Sequence, residues 1–206
     1  LRLGDDAFLD HKLSPKKIDD LIKTMIAFKN LMDVYHVTEY LACATSAMRE
    51  AVNGEEVIKK IKKLANIDLE IIEGEREANI IYANHIEENL AANKSYLYID
   101  VGGGSTEFTL FSNGKMVNSR SFKAGTVRLL NEMVCDVGWD EIEKWIKVNT
   151  KDFEEVILIG SGGNINKLFK MSGKMQEKPL SYIYVNSQYA FLNSLTYEQR
   201  IAELAL

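Results

Sequence analysis

The sequence predicts an α/β protein of two lobes, each a mixed sheet flanked by helices. Three observations carry this. Helical and strand periodicities alternate along the chain. The second half opens on a meander of three strands, which is followed by helix, strand and helix. With 206 residues and 46% hydrophobic content, the chain can bury one sizeable core or two modest ones.

Taken in order, Ser14-Pro15 starts a helix, with Ser14 as N-cap and Pro15 at the first helical position. Ile18, Leu21, Ile22, Met25, Ile26, Phe28 and Met32 keep one apolar face to about Tyr35. Residues 38–44 form an apolar strand candidate. A short helix over 46–52 stops at Asn53-Gly54, and an amphipathic helix over 55–65 carries Val57, Ile58, Ile61 and Leu64. Residues 69–72 read as a strand and 74–90 as a helix. The pattern changes at Asn93-Lys94-Ser95, which divides the chain into lobes 1–93 and 94–206. The meander spans 96–122, with a tight turn at Asn113-Gly114. Helices are expected over 125–134 and 139–148. A strand over 155–159 breaks at Gly160-Ser161-Gly162-Gly163 into another helix, and two more helices close the chain from Val185 onward. This order is the ribonuclease-H-like arrangement, complete in the second lobe. The first lobe shows only its later elements. The chain starts at Leu1 in mid-pattern and stops inside a helical stretch, so a longer natural protein is expected, with opening strands before Leu1.

Charge and composition exclude several classes. There are 25 basic against 30 acidic residues, a net charge of −5, which argues against a general nucleic-acid binder. No run of about 18 apolar residues could span a membrane, and no secretory signal is visible. Cys43 and Cys135 make no ligand pattern and are expected as buried apolar residues in a reducing cytoplasm. His11, His36 and His85 have no zinc spacing.

The run from Tyr96 to Leu110 is the most informative stretch. Apolar residues lead into Asp100, then Gly102-Gly103-Gly104-Ser105-Thr106 and Glu107 follow. Glycines uncover backbone N–H groups, and Ser105 and Thr106 add hydroxyls, so the loop can wrap an anion. Asp100 and Glu107 are hard oxygen ligands able to hold a divalent cation against that anion. A plain hairpin turn would need one or two glycines, not three between Asp, Ser, Thr and Glu.

Four further motifs fit anion chemistry. Ala44-Thr45-Ser46-Ala47-Met48-Arg49 sets two hydroxyls at a helix start with an arginine one turn on. Glu73-Gly74-Glu75-Arg76-Glu77-Ala78 follows a strand and presents a carboxylate able to orient or deprotonate water. Gly125, in Lys123-Ala124-Gly125-Thr126-Val127-Arg128, and Ser161, Gly162 and Gly163 each open a helix after a strand. Taken singly, these are ordinary caps, dipole complements and turns. Their recurrence at equivalent strand ends is what points to a polyanion.

In this order and spacing, the motifs resemble those of the exopolyphosphatase / guanosine pentaphosphate phosphohydrolase family, within the actin, sugar-kinase and heat-shock chaperone ATPase superfamily. The resemblance covers nearly the whole chain. It implies two ribonuclease-H-like lobes with the active site in the cleft between them. It also implies magnesium- or manganese-dependent hydrolysis of terminal phosphoanhydride bonds in polyphosphate or guanosine pentaphosphate, in the cytoplasm, by proteins that often dimerise. The family's catalytic glutamate matches Glu77 and its phosphate-binding arginine matches Arg49. Its acidic residues bracketing the glycine loop match Asp100 and Glu107, and its phosphate-donating loop serine matches Ser105. Departures are Glu73, where members often carry serine, and Arg76, where they often carry an acid. The family's first glycine–serine hairpin would lie before Leu1. Rival readings are a sugar or acetate kinase, a sensor that binds an alarmone or polyphosphate without cleaving it, and an actin-like scaffold.

Overall fold

The computed structural model describes residues 1–85, 91, 93–175 and 178–204. By packing, these residues divide into a unit over Leu1–Gly160 and a unit over Ser161–Leu206.

The first unit begins with α1 (Leu3–Leu9), α2 (Pro15–Val34), β1 (Ala42–Ala44), α3 (Ser46–Glu50), α4 (Gly54–Ala65), β2 (Leu69–Ile71) and α5 (Gly74–His85). Ser14 caps α2, its hydroxyl accepting from the Lys17 N–H. Asn53 ties the entry of α2 to that of α4, accepting from the Leu13 N–H and donating to the Leu13 carbonyl, both at 2.9 Å. Leu13, just before α2, and Leu21, Val57 and Ile61 from these helices join Ala7, Phe8 and Met48 in one buried cluster. β1 and β2 are parallel and only three residues long, so residues 38–41 are not in a strand: nothing on β2 extends far enough to pair with them. The expected helix over 74–90 is observed to His85, and residues 86–90 lie outside the described set.

The meander follows as β3 (Ser95–Val101), β4 (Thr106–Ser112) and β5 (Lys115–Phe122), then α6 (Thr126–Leu130), α7 (Asp136–Thr150) and β6 (Val156–Ser161). The four strands lie in the order β5-β4-β3-β6. Asn113 and Gly114 take φ of 51° and 68°, the left-handed pair that a two-residue hairpin turn requires. One face of the sheet packs Leu97, Phe108 and Phe122 against Ile142 and Trp145 of α7. Phe108, Phe122 and Trp145 meet edge to face, with ring centroids 5.4–6.2 Å apart. The alternate residues, including Tyr96, Tyr98, Asp100, Glu107 and Phe111, point to the other face.

Three expectations need correction. The helix expected over 125–134 ends at Leu130, because Glu132 enters the left-handed region at φ 55° and the Met133 N–H turns back to the Arg128 carbonyl. Cys135 is exposed at the N-cap of α7, and Cys43 is half-buried, so neither is a fully buried core residue. α1 lies where no helix was expected. In the second unit, α8 (Gly163–Met171), α9 (Tyr182–Ser194) and α10 (Tyr197–Leu204) follow, and the Tyr184 hydroxyl donates to the Leu168 carbonyl at 3.4 Å. No helix among the described residues is long and apolar enough to cross a membrane.

Candidate active site

Two parallel strands deliver the first part of the site. β1 and β2 run in register from Ala42↔Leu69 to Ala44↔Ile71, and the Ile72 N–H donates to the Ala44 carbonyl at 3.0 Å. The chain therefore leaves both strands at the same end, through Thr45 into α3 and through Glu73 into α5. This is where α/β sheets gather their ligands. Arg49 and Glu77 are brought together there. The Arg49 guanidinium donates to the Ile72 carbonyl and lies 3.9 Å from the exposed Glu73 carboxylate. Arg76 turns to Glu70 on β2 instead, which accounts for the altered motif without disturbing Glu77.

Among the described residues, Glu77 has the most perturbed carboxyl group. Its pKa is pushed from the ordinary 4.5 up to about 7, with burial the largest cause. The Glu107 carboxylate is the next cause and Asp100 adds to it, against the opposing Arg49 charge and a hydrogen bond with the Thr45 side chain. Thr45 is thus more than a helix cap: it makes no capping bond to α3 and engages Glu77. The Glu77 Oε2 atom is buried and has no hydrogen-bond partner among the described residues. A buried orphan acceptor of this kind marks a place for a water or a ligand group.

The meander delivers the second part. Asp100 and Glu107 face each other directly across β3 and β4. Glu107 is only 4% exposed, and the Ser121 hydroxyl of β5 donates to its Oε1 at 2.9 Å. The start of α5 packs so closely on Ser121 that a Cβ at Gly74 would fall 2.8 Å from the Ser121 Cβ. Gly74 thereby lets Glu77 approach Glu107.

Between Asp100 and Glu107 the glycine loop is held from behind. The Gly102 N–H donates to the Ser105 carbonyl at 3.0 Å, closing the turn. The Thr126 and Val127 N–H groups donate to the Gly102 and Gly103 carbonyls, so these two amides of α6 face the loop backbone. Gly125 is a contact surface for the loop: a Cβ there would lie 2.3 Å from the Gly103 carbonyl oxygen. The Thr106 hydroxyl donates to the Ala124 carbonyl, and Ser105 is buried. Ser161, at the end of β6, Gly162, with φ 111°, and Gly163, opening α8, belong to the second unit.

Among the described residues, no three His, Cys, Asp or Glu side chains gather to cage a metal. Asp100 and Glu107 form a two-carboxylate set on one sheet face. That set fits an ion that keeps several waters and takes phosphate oxygens, as magnesium does.

Sequence reasoning did not assign Ser121, Glu50, Phe8 or Arg128 to the site, and it read Thr45 as an anion-site hydroxyl, not as the partner of Glu77. Thr45 and Arg128 lie inside motifs that it singled out. Glu50 and Phe8 are brought in only by long-range packing.

The model of the Ppx/GppA phosphatase family matches residues 1–156. The chain is 28% identical over 192 residues to the bifunctional 3-dehydroquinate synthase/phosphatase of Fusobacterium nucleatum, covering 85% of this chain and 29% of that protein. It is 29% identical over 143 residues to exopolyphosphatase 1 of Mycobacterium tuberculosis, covering 66% and 40% respectively. The chain thus spans well under half the length of these curated relatives. The crystal structure of an exopolyphosphatase from Cytophaga hutchinsonii superposes with a TM-score of 0.79 at 26% identity, over 93% of this chain and 68% of that one. The Aquifex aeolicus Ppx/GppA structure gives a TM-score of 0.75 at 21% identity, over 98% and 71%. The family model spans both strand ends and the whole glycine loop, and the chain belongs to the Ppx/GppA phosphatase family.

Proposed function

We propose that the protein hydrolyses the terminal phosphoanhydride bond of inorganic polyphosphate, with guanosine pentaphosphate as a second substrate of the same site. The observation that supports this most is Glu77, a half-buried carboxyl group whose buried Oε2 has no partner among the described residues and whose pKa is about 7, beside Arg49 and the glycine loop. A general base works best when its pKa lies near the operating pH. Water attacks the terminal phosphorus, the bridging P–O bond breaks, and the water's proton passes to Glu77 Oε2. Arg49 neutralises charge on the transferred phosphoryl group. The loop residues Gly102, Gly103, Gly104, Ser105 and Thr106 hold the phosphate chain, with Gly125 supporting them from behind. Positioning and electrostatic stabilisation dominate catalysis of phosphoryl transfer. Asp100 and Glu107 would hold Mg2+ or Mn2+, which offsets the charge of the phosphate chain when bound.

The same reading includes a division into lobes 1–93 and 94–206, a cytoplasmic location and a homodimer. Its test is phosphate release from polyphosphate and from guanosine pentaphosphate by the intact protein with magnesium. Release that Glu77→Gln removes supports the proposal. Tight binding of either compound without any release would make the protein a sensor, and phosphate transfer to a sugar or acetate would make it a kinase.

A further inference from the structure

Three consecutive residues hold three consecutive carbonyls of the glycine loop. The Thr126 N–H donates to the Gly102 carbonyl at 2.9 Å, the Val127 N–H to the Gly103 carbonyl at 2.8 Å, and the Arg128 Nε to the Gly104 carbonyl at 2.7 Å. In a planar trans peptide, a carbonyl and the N–H of the next residue point to opposite sides. Fixing these carbonyls on the α6 side therefore turns the N–H groups of Gly103, Gly104 and Ser105 the other way. None of these three amides has an acceptor among the described residues. Successive N–H groups turned to one side form an anion nest. Two of the three pins are backbone groups, but the third is a side chain.

The surroundings of Arg128 show that it is not itself placed as a phosphate ligand. It is only 6% exposed. Its Nη2 donates to the Glu50 carboxylate, and its guanidinium carbon lies 4.5 Å from the centroid of the Phe8 ring. Phe8 also backs the loop directly, since a Cβ on Gly104 would fall 2.0 Å from the ring. Glu50 adjoins Arg49 at the end of α3. The fork of one guanidinium thus links the glycine loop to the helix that carries Arg49.

We propose that Arg128 is a positioning residue of the phosphate site. It aims the Ser105 N–H into the anion nest, and through Glu50 it sets the distance between that nest and Arg49. This inference rests on the phosphate-loop reading and deepens it. Lysine cannot replace the function, because a single ammonium cannot donate in fixed directions to the Gly104 carbonyl and Glu50 while stacking on Phe8.

The test is an amide NMR titration of the intact protein, labelled with 15N-glycine and 15N-serine, using magnesium and tripolyphosphate as the probe. In the parent, the Gly103, Gly104 and Ser105 amides shift on binding. Arg128→Met alone leaves the half-buried Glu50 with only the exposed Lys123 ammonium, 4.0 Å away, so the fold-preserving variant is Glu50→Gln combined with Arg128→Met, which removes both charges together. In that variant Gly103 and Gly104 still respond, Ser105 does not, and the Kd for tripolyphosphate rises about tenfold, as loss of one well-placed hydrogen bond implies. Arg128→Lys behaves like the double variant. The proposal is overturned by a Ser105 response or a Kd equal to the parent's, or by full recovery in Arg128→Lys, which would make charge alone the requirement. A parent that does not bind tripolyphosphate would overturn the functional reading, and the positioning role with it.

Discussion

Glu107 is the charged neighbour that most raises the proton affinity of Glu77. Glu77 sits in the first turn of α5 and Glu107 early in β4, so the coupling crosses from helix to sheet at the close approach of Gly74 to Ser121. If Glu77 accepts the proton of the attacking water, activity rises with pH through about 7 and levels off above it. In the metal-free protein, Glu107→Gln removes the repulsion and lowers the pH at which the Glu77 carboxyl titrates. A carboxyl NMR titration of Glu77 without metal checks this, and an unmoved midpoint would remove Glu107 as the charge that raises Glu77.

Glu77→Gln is expected to lower turnover by roughly 10²–10⁴-fold, the usual contribution of a general base. Substrate affinity should stay within a few-fold of the parent. The same variant has a signature that needs no substrate. The folded-state pKa of about 7 is raised above the ordinary 4.5. The associated stability is therefore fully present below pH 4.5 and is lost as pH rises through about 7. With partial solvent screening, this is about 1–2 kcal/mol. Denaturant unfolding should show the parent losing that much between acid and pH 8 relative to the glutamine variant.

Asp100 and Glu107 place two carboxylates on one sheet face, a repulsive pair toward each other and toward a polyanion. Activity of the intact protein is expected to require magnesium or manganese and to vanish with excess chelator. Replacing Asp100 by Asn together with Glu107 by Gln should weaken substrate binding as well as turnover. Full phosphate release in chelator would exclude a metal role for the pair.

Two neighbouring glycines should respond differently to a side chain. At Gly103 a Cβ meets only Val127 Cγ2, at an ordinary 3.6 Å, so Gly103→Val keeps the fold and blocks close approach of a phosphate. Circular dichroism should be unchanged while polyphosphate binding is lost. At Gly104 a Cβ would enter the Phe8 ring. Gly104→Ala should therefore lower stability by about 1–3 kcal/mol, the usual cost of overpacking. Phe8→Leu in the same chain should recover part of that loss.

The glycine loop was legible because its signals are local: an apolar run into Asp100, small residues, then alternation out of Glu107. The same holds for the Asn113-Gly114 turn and for the Ser14-Pro15 helix start. What sequence could not show was set by packing. Residues 38–41 have strand-like composition and lack a partner strand among the described residues. α1 buries only Ala7 and Phe8, too little for a readable periodicity, and is fixed by what Phe8 touches. Helical spacing of Val127, Leu130 and Val134 hid the stop at Glu132. Glu50 and Arg128 are 78 residues apart, so their pairing exists only in the folded chain. Glu77 and Arg49 could be named from the sequence, but the unpartnered oxygen of Glu77 could not.

The hydrogen bonds from Thr126 and Val127 to the glycine loop also make α6 a listener to whatever the loop holds. An anion drawing on the N–H of a peptide polarises that peptide and makes its carbonyl a stronger acceptor. The Gly102 and Gly103 carbonyls should then grip the Thr126 and Val127 amides more tightly when phosphate is bound. Hydrogen exchange at those two amides should slow in the presence of tripolyphosphate, although neither touches it. A five-residue helix would in this way report ligand occupancy through its exchange rates.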